Sequence, residues 1–200
     1  MIRAQLAGLL GSAALAFGAA GCAPASPPPA TSSPPPPPVA TTSSPFPPRP
    51  AELRLDGVDP CALLTPAEVA RLGVDQGDRF DDADQFRSLS CDWANSGGVK
   101  PEKSWIARAI VKQGADYALG NIAPVQVVKV GGFSAVQTSS PYQNAERQCI
   151  LAIDVAQGEQ LRVQFDNRAG DFPGINHQVA CQQASNAAEL MLQNLRGLVH

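Results

Sequence analysis

The chain has 200 residues, and its 15 basic against 18 acidic side chains leave a formal net charge of -3. Thirteen of the 19 prolines fall between Pro24 and Pro50, so about 150 residues remain to build a core, enough for one domain and too few for two. A large multidomain enzyme is excluded, and nucleic acid is a poor fit as partner because the chain offers no basic field to displace counterions.

Met1 to Gly21 opens with one cation, Arg3, runs through an apolar stretch from Ala4 to Phe17 and closes on small residues before Cys22. This is the layout of a secretory signal. A cysteine directly after small residues resembles a bacterial lipobox, with Ala19 where a larger aliphatic is usual. The expectation is therefore a signal peptide over 1–21, a diacylglycerol on Cys22, and attachment to the membrane through that lipid on the extracytoplasmic face. Residues 23–50 are Pro, Ala, Ser or Thr except for Val39, Phe46 and Arg49. Such a segment buries little, and at polyproline II spacing it extends roughly 90 Å. The range 22–55 is accordingly read as a disordered linker, and 56–200 as the folded domain.

Thr65-Pro66-Ala67-Glu68-Val69-Ala70-Arg71-Leu72-Gly73 carries a full set of helix punctuation: Thr65 as N-cap, Pro66 at the first turn, Glu68 closing a capping box, and Gly73 as the left-handed stop. The acidic stretch from Asp75 to Asp84 lacks calcium-loop spacing and is read as a solvated loop. Strands are expected over Leu89–Asn95, Ser104–Lys112, Val125–Val130 and Phe133–Thr138, with a short helix in Gly114–Asn121 between the second and third. Alternation of Cys149, Leu151, Ile153 and Val155, then of Leu161, Val163 and Phe165, predicts a hairpin with one apolar face. A long helix over Asn176–Leu198 places Ala180, Ala184, Ala187, Met191, Leu195 and Leu198 on one stripe, suited to cover that face. The fold class is α+β: an antiparallel sheet of five or six strands, a short N-terminal helix and a long C-terminal helix.

Four cysteines follow Cys22: Cys61, Cys91, Cys149 and Cys181. In an exported domain an even count reads as two disulfides, whereas zinc would need closer ligand spacing than the shortest separation here, 30 residues. Cys61 and Cys181 each lie beside a helix start and Cys91 and Cys149 in strands, so the expected pairing is Cys61 with Cys181 and Cys91 with Cys149.

The order Asp59-Pro60-Cys61-Ala62-Leu63-Leu64-Thr65, Cys91-Asp92-Trp93, Gly132-Phe133-Ser134-Ala135-Val136, Cys149 to Val155, and Cys181 in an Ala- and Leu-rich helix resembles the DUF3558 family. The resemblance spans about 56–197 and implies an actinobacterial envelope lipoprotein, with no catalytic residues to carry over.

Chemistry-bearing residues are sparse. The two histidines are His177, at the start of the last helix, and the terminal His200. Gly132-Phe133-Ser134-Ala135 lacks the closing glycine of a nucleophile elbow. Trp93 and Trp105 read as packing around a disulfide. The expectation is a binding or interaction module for a protein, a wall component or an apolar ligand, without enzymatic activity, cofactor or metal. The alternatives are an extracytoplasmic hydrolase with an unrecognised site and a purely structural envelope protein. The discriminating feature is the surface the last helix leaves open.

Overall fold

The computed structural model describes residues 44–199 apart from 82–85, 96, 122–124 and 140–143. Cys22, the signal segment, most of the expected linker, Asp82, Asp84 and His200 lie outside the described residues. Two units divide the chain, Met1–Thr41 and Thr42–His200; the second is described below.

Gln148–Ala156 (β6), buried on both faces, and Glu159–Asp166 (β7), whose C-terminal half alternates, pair as an antiparallel hairpin through the two-residue turn Gln157-Gly158. Around it the sheet is ordered β1-β2-β3-β7-β6-β5-β4, with every pairing antiparallel. The remaining strands are Asp78–Asp81 (β1), Leu89–Ala94 (β2), Ser104–Ile110 (β3), Val125–Val130 (β4) and Phe133–Thr138 (β5). Two meanders, β1 to β3 and β4 to β7, meet where β3 bonds β7. The short helix α2 (Tyr117–Asn121) lies in the connection from one to the other.

Among the described residues seven strands form where five or six were expected. The added one is β1, within the acidic stretch read as a loop. It lies at the sheet edge, pairs with β2 alone and exposes three of its four residues, so its sequence carries charge rather than an apolar alternation.

One face of the sheet is apolar from strand to strand. Trp93 lies opposite Trp105 and Trp105 opposite Phe165, with the last two ring centroids 5.1 Å apart. Leu151, Ile153, Leu161, Val163 and Phe133 continue the layer, all fully buried. The long helix α3 (His177–Leu198) packs on it, chiefly over β6 and β7. Of the expected stripe, Ala180, Ala184, Ala187, Met191 and Leu195 are buried, while Leu198 in the last turn is exposed. Trp105 Nε1 donates to the Gln183 carbonyl at 3.2 Å, which gives the buried indole its partner on the helix.

Helix α1 (Pro66–Leu72) carries the expected capping box and ends on left-handed Gly73, at φ 66°. Asn194 Nδ2 ties α3 to it, donating to Leu63 O at 3.0 Å and to Glu68 Oε2 at 2.7 Å. Burial opposes the Glu68 charge, yet the bonds from Thr65 and Asn194 hold its carboxyl below the usual range.

The disulfides are Cys61–Cys91 and Cys149–Cys181, with Cα separations of 5.2 and 4.9 Å. The expected pairs are overturned, and the sheet order gives the reason. β3 and β7 stand between β2 and β6, which puts Cys91 and Cys149 roughly 14 Å apart at about 4.8 Å per strand, far beyond bridging distance. Cys61 instead sits in a 3-10 turn, Pro60–Leu63, laid against β2, and Cys181 faces down from α3 onto β6. At Gly77 a β-carbon would stand 2.5 Å from both Cys91 Sγ and Trp93 Nε1, so glycine is what lets the chain pass this bridge.

The fold also begins earlier than residue 56. Phe46 is buried with Ala115, Ala118, Val136 and Ala152 on the sheet face opposite α3. Arg49 donates to Asp154 at 2.8 Å and to Glu52 at 2.7 Å, and these bonds outweigh the burial that opposes its charge. Leu53 N donates to Val155 O at 2.8 Å and Leu55 N to Glu159 Oε2 at 2.7 Å, with both side chains buried. A proline-rich composition hides one aromatic and one arginine that dock.

A chain shortened to begin at residue 44 is expected to keep the melting temperature of a chain that begins at residue 23. One shortened to begin at Ala51 loses Phe46 and leaves buried Asp154 without its cation, a loss of about 3 kcal/mol or more, which corresponds to roughly 6 °C or more in a domain of this size. Thermal unfolding of the two chains checks it.

Candidate functional site

Of the two outer strands, β1 presents Asp78, Arg79 and Asp81, and Arg79 pairs with Asp59 beside the Cys61 turn. Charge and shortness guard that edge. β4 is different: six residues long, with Lys129 its one charge, it is bonded among the described residues to β5 alone. Its Val127 is 51 % exposed and Val125 39 %. Large apolar side chains on an outer strand that is neither short nor heavily charged are the pattern that natural sheets otherwise avoid.

Beside that edge, between the first turns of α3 and the ends of β4 and β5, lies an open groove of about 470 Å³. Its lining includes Gln126 and Gln137, which face each other across β4 and β5, and Gln178, Gln182 and Ser185 at helical spacing on α3. None of these carries a charge, and each amide offers both donors and an acceptor. The side chains that the two strands and α3 turn toward this groove are thus largely uncharged and able to hydrogen-bond.

His177 and Cys181 complete the lining. Asn176 caps α3, its side chain accepting from Val179 N at 3.0 Å, and this places His177 at the first helical position. There His177 Nδ1 lies 3.0 Å from the Gln148 carbonyl of β6. A carbonyl only accepts, so Nδ1 carries the proton and in the neutral ring Nε2 is bare. Nε2 lies 3.5 Å from Cys181 Sγ. Potential ligand atoms of Cys149, His177 and Cys181 all fall within 4.8 Å of one another. The two sulfurs are bonded to each other, and a disulfide supplies no thiolate to a metal.

Gln148 also reaches the other face of the sheet, where its Nε2 donates to Asp166 Oδ2 at 3.1 Å. Burial pushes the Asp166 carboxyl above the ordinary aspartate range, against the opposing pull of Gln148 and Arg168.

Ser134 lies on that opposite face, buried, accepting from Lys129 Nζ at 3.0 Å. The sheet separates it from His177, so the two form no nucleophile and base pair. Trp93 and Trp105 are buried core residues, as read from sequence. The glutamines of the groove escaped the sequence reading. Their only signal was the spacing Gln178, Gln182, Ser185 on a helix and the single exposed glutamine in a valine-rich strand.

The model of a family described as "Protein of unknown function (DUF3558)" matches residues 17–194. The chain belongs to the DUF3558 family. No curated protein and no solved structure matches it. Among the described residues of this DUF3558 protein no helix is long and apolar enough to cross a membrane.

Because folded Asp166 holds its proton more readily than the unfolded chain does, its ionisation weakens the fold. That loss is absent in acid, sets in as pH rises past the ordinary aspartate value, and is complete above the raised one. Asp166→Asn should therefore raise the melting temperature near pH 7, with the gain vanishing near about pH 3. Thermal melts of both proteins across that range check the prediction.

Proposed function

We propose that this DUF3558 protein is an exported, lipid-anchored interaction module that takes an extended segment of another envelope protein onto the β4 edge, acting by contact rather than by catalysis. The observation that carries the reading is the edge itself, a six-residue strand with exposed Val125 and Val127 bordering an amide-lined groove. An added strand satisfies the outward N–H and C=O groups of β4 along its length. Side chains alternate across a strand, which fixes the chemistry of the partner. Apolar residues of the incoming segment meet Val125 and Val127 on one face. Polar residues alternate with them and meet Gln126, Gln137, Gln178 and Gln182 on the other.

Cys22 and the proline-rich stretch after it supply the other half of the reading. A lipid on Cys22 holds the domain at the outer surface of the cytoplasmic membrane, and the stretch through about residue 43 gives it reach. Cys22→Ser is expected to move the protein from the detergent-requiring membrane fraction to the medium, or to leave it unprocessed. Retention of that variant in the membrane with the signal removed would sink the anchor.

For the edge, a photoreactive residue is placed at Gln126 or at Val127 of the full chain in intact cells. The expected result is a protein adduct whose attachment points alternate along one contiguous partner segment, and which Val127→Glu abolishes. A matching adduct from Arg79 on the guarded β1 edge, or adducts to glycan or lipid alone, overturns the reading.

A further inference from the structure

The Cys149–Cys181 bridge is set apart by its surroundings. Cys149 is wholly enclosed beneath α3, while Cys181, though only 5 % exposed, lines the groove. Of the two half-cystines, Cys181 is therefore the one that borders the groove. His177 lines the same groove with Nε2 3.5 Å from that sulfur. Its orientation is built in: the Asn176 cap fixes the helix start and the Gln148 carbonyl takes the Nδ1 proton. An imidazole held by a backbone carbonyl, with its unprotonated nitrogen beside the sulfur of the half-cystine that borders the groove, can serve as the base for a thiol entering there.

We propose that Cys149–Cys181 is an exchangeable disulfide at which a small-molecule thiol is captured on Cys181, with His177 as the base. The incoming thiol enters the groove and gives its proton to His177 Nε2. Its sulfur forms a new bond to Cys181 Sγ as the Cys149–Cys181 bond breaks and leaves its electron pair on Cys149. The imidazolium then returns the proton to the Cys149 thiolate. One disulfide is consumed and one mixed disulfide formed, so no outside oxidant or reductant enters the step. The reverse attack by Cys149 releases the small thiol again. This site uses the groove floor and stands whether or not a partner strand docks on β4.

The test uses the mature protein with both disulfides formed and reduced glutathione as the thiol, followed by alkylation and peptide mass mapping. Glutathione should appear on Cys181 with alkylated Cys149, and His177→Gln, which keeps a donor for the Gln148 carbonyl, should slow this about tenfold or more. Exchange at Cys61–Cys91, which serves as the internal standard, should run at the same rate in both proteins. Misfolding would expose both bridges and raise the rates, so it cannot imitate the expected loss. Equal rates at Cys181 in the two proteins, glutathione on Cys149, or exchange confined to Cys61–Cys91 overturns the proposal.

Discussion

Everything in this domain depends on a single apolar sheet face that one helix must cover. Trp93, Trp105 and Phe165 cross three strands of that face in register, and Leu151, Ile153 and Leu161 extend it over the central hairpin. Left open to water, such a face would not stabilise a seven-stranded sheet; α3 closes it with small and flexible side chains, Ala180, Ala184, Ala187 and Met191, that let the helix approach closely. Both ends of the helix are then pinned: Cys181 to β6 near the start and Asn194 to the capping box of α1 near the end. The two disulfides close separate loops, residues 61 to 91 and 149 to 181, and each removes on the order of 3 to 4 kcal/mol of unfolded-chain freedom in the loop-entropy account.

Covering one face leaves the sheet two edges and a second face to manage. The second face is partly closed by Phe46, Ala115, Ala118 and Leu119, so a piece of chain with linker composition serves as structure. Arg49 anchors that piece on Asp154. At the edges the sequence treats β1 and β4 in opposite ways: acidic, short and tied to Asp59 on one side, valine-rich and, among the described residues, without an outer partner strand on the other. Under the proposed reading, this asymmetry confines strand addition to the β4 edge.

The groove joins these themes at one point. Gln148 sits at the start of β6, its carbonyl holding His177 on the helix side and its amide holding Asp166 on the far side of the sheet. Through that one residue the His177 ring beside the Cys149–Cys181 bridge is linked to both faces of the sheet. The Asp166 carboxyl, raised by burial, and the Glu68 carboxyl, lowered by its bonds, stand at opposite ends of the same arrangement and respond to pH in opposite senses.

Local features were legible in the sequence because their causes are local. The capping box at Thr65 and Glu68, the Gly73 stop, the bounds of β4 and β5 and most of the buried stripe of α3 all depend on residues within a few positions of one another. The family could be read from the residues around Cys61, Cys91, Cys149 and Cys181 for the same reason. What the sequence could not settle was which distant pieces meet. The cystine pairs depend on β3 and β7 standing between β2 and β6, a matter of strand order that no cysteine spacing encodes. β1 is a strand only because β2 offers it a partner, and Phe46 and Arg49 belong to the fold only because Val136, Ala152 and Asp154 are there to receive them. The groove is the same case: its glutamines are ordinary surface residues on two strands and a helix until the sheet and α3 bring them together, since burial and contact are set by the whole packing and period and propensity only by neighbours along the chain.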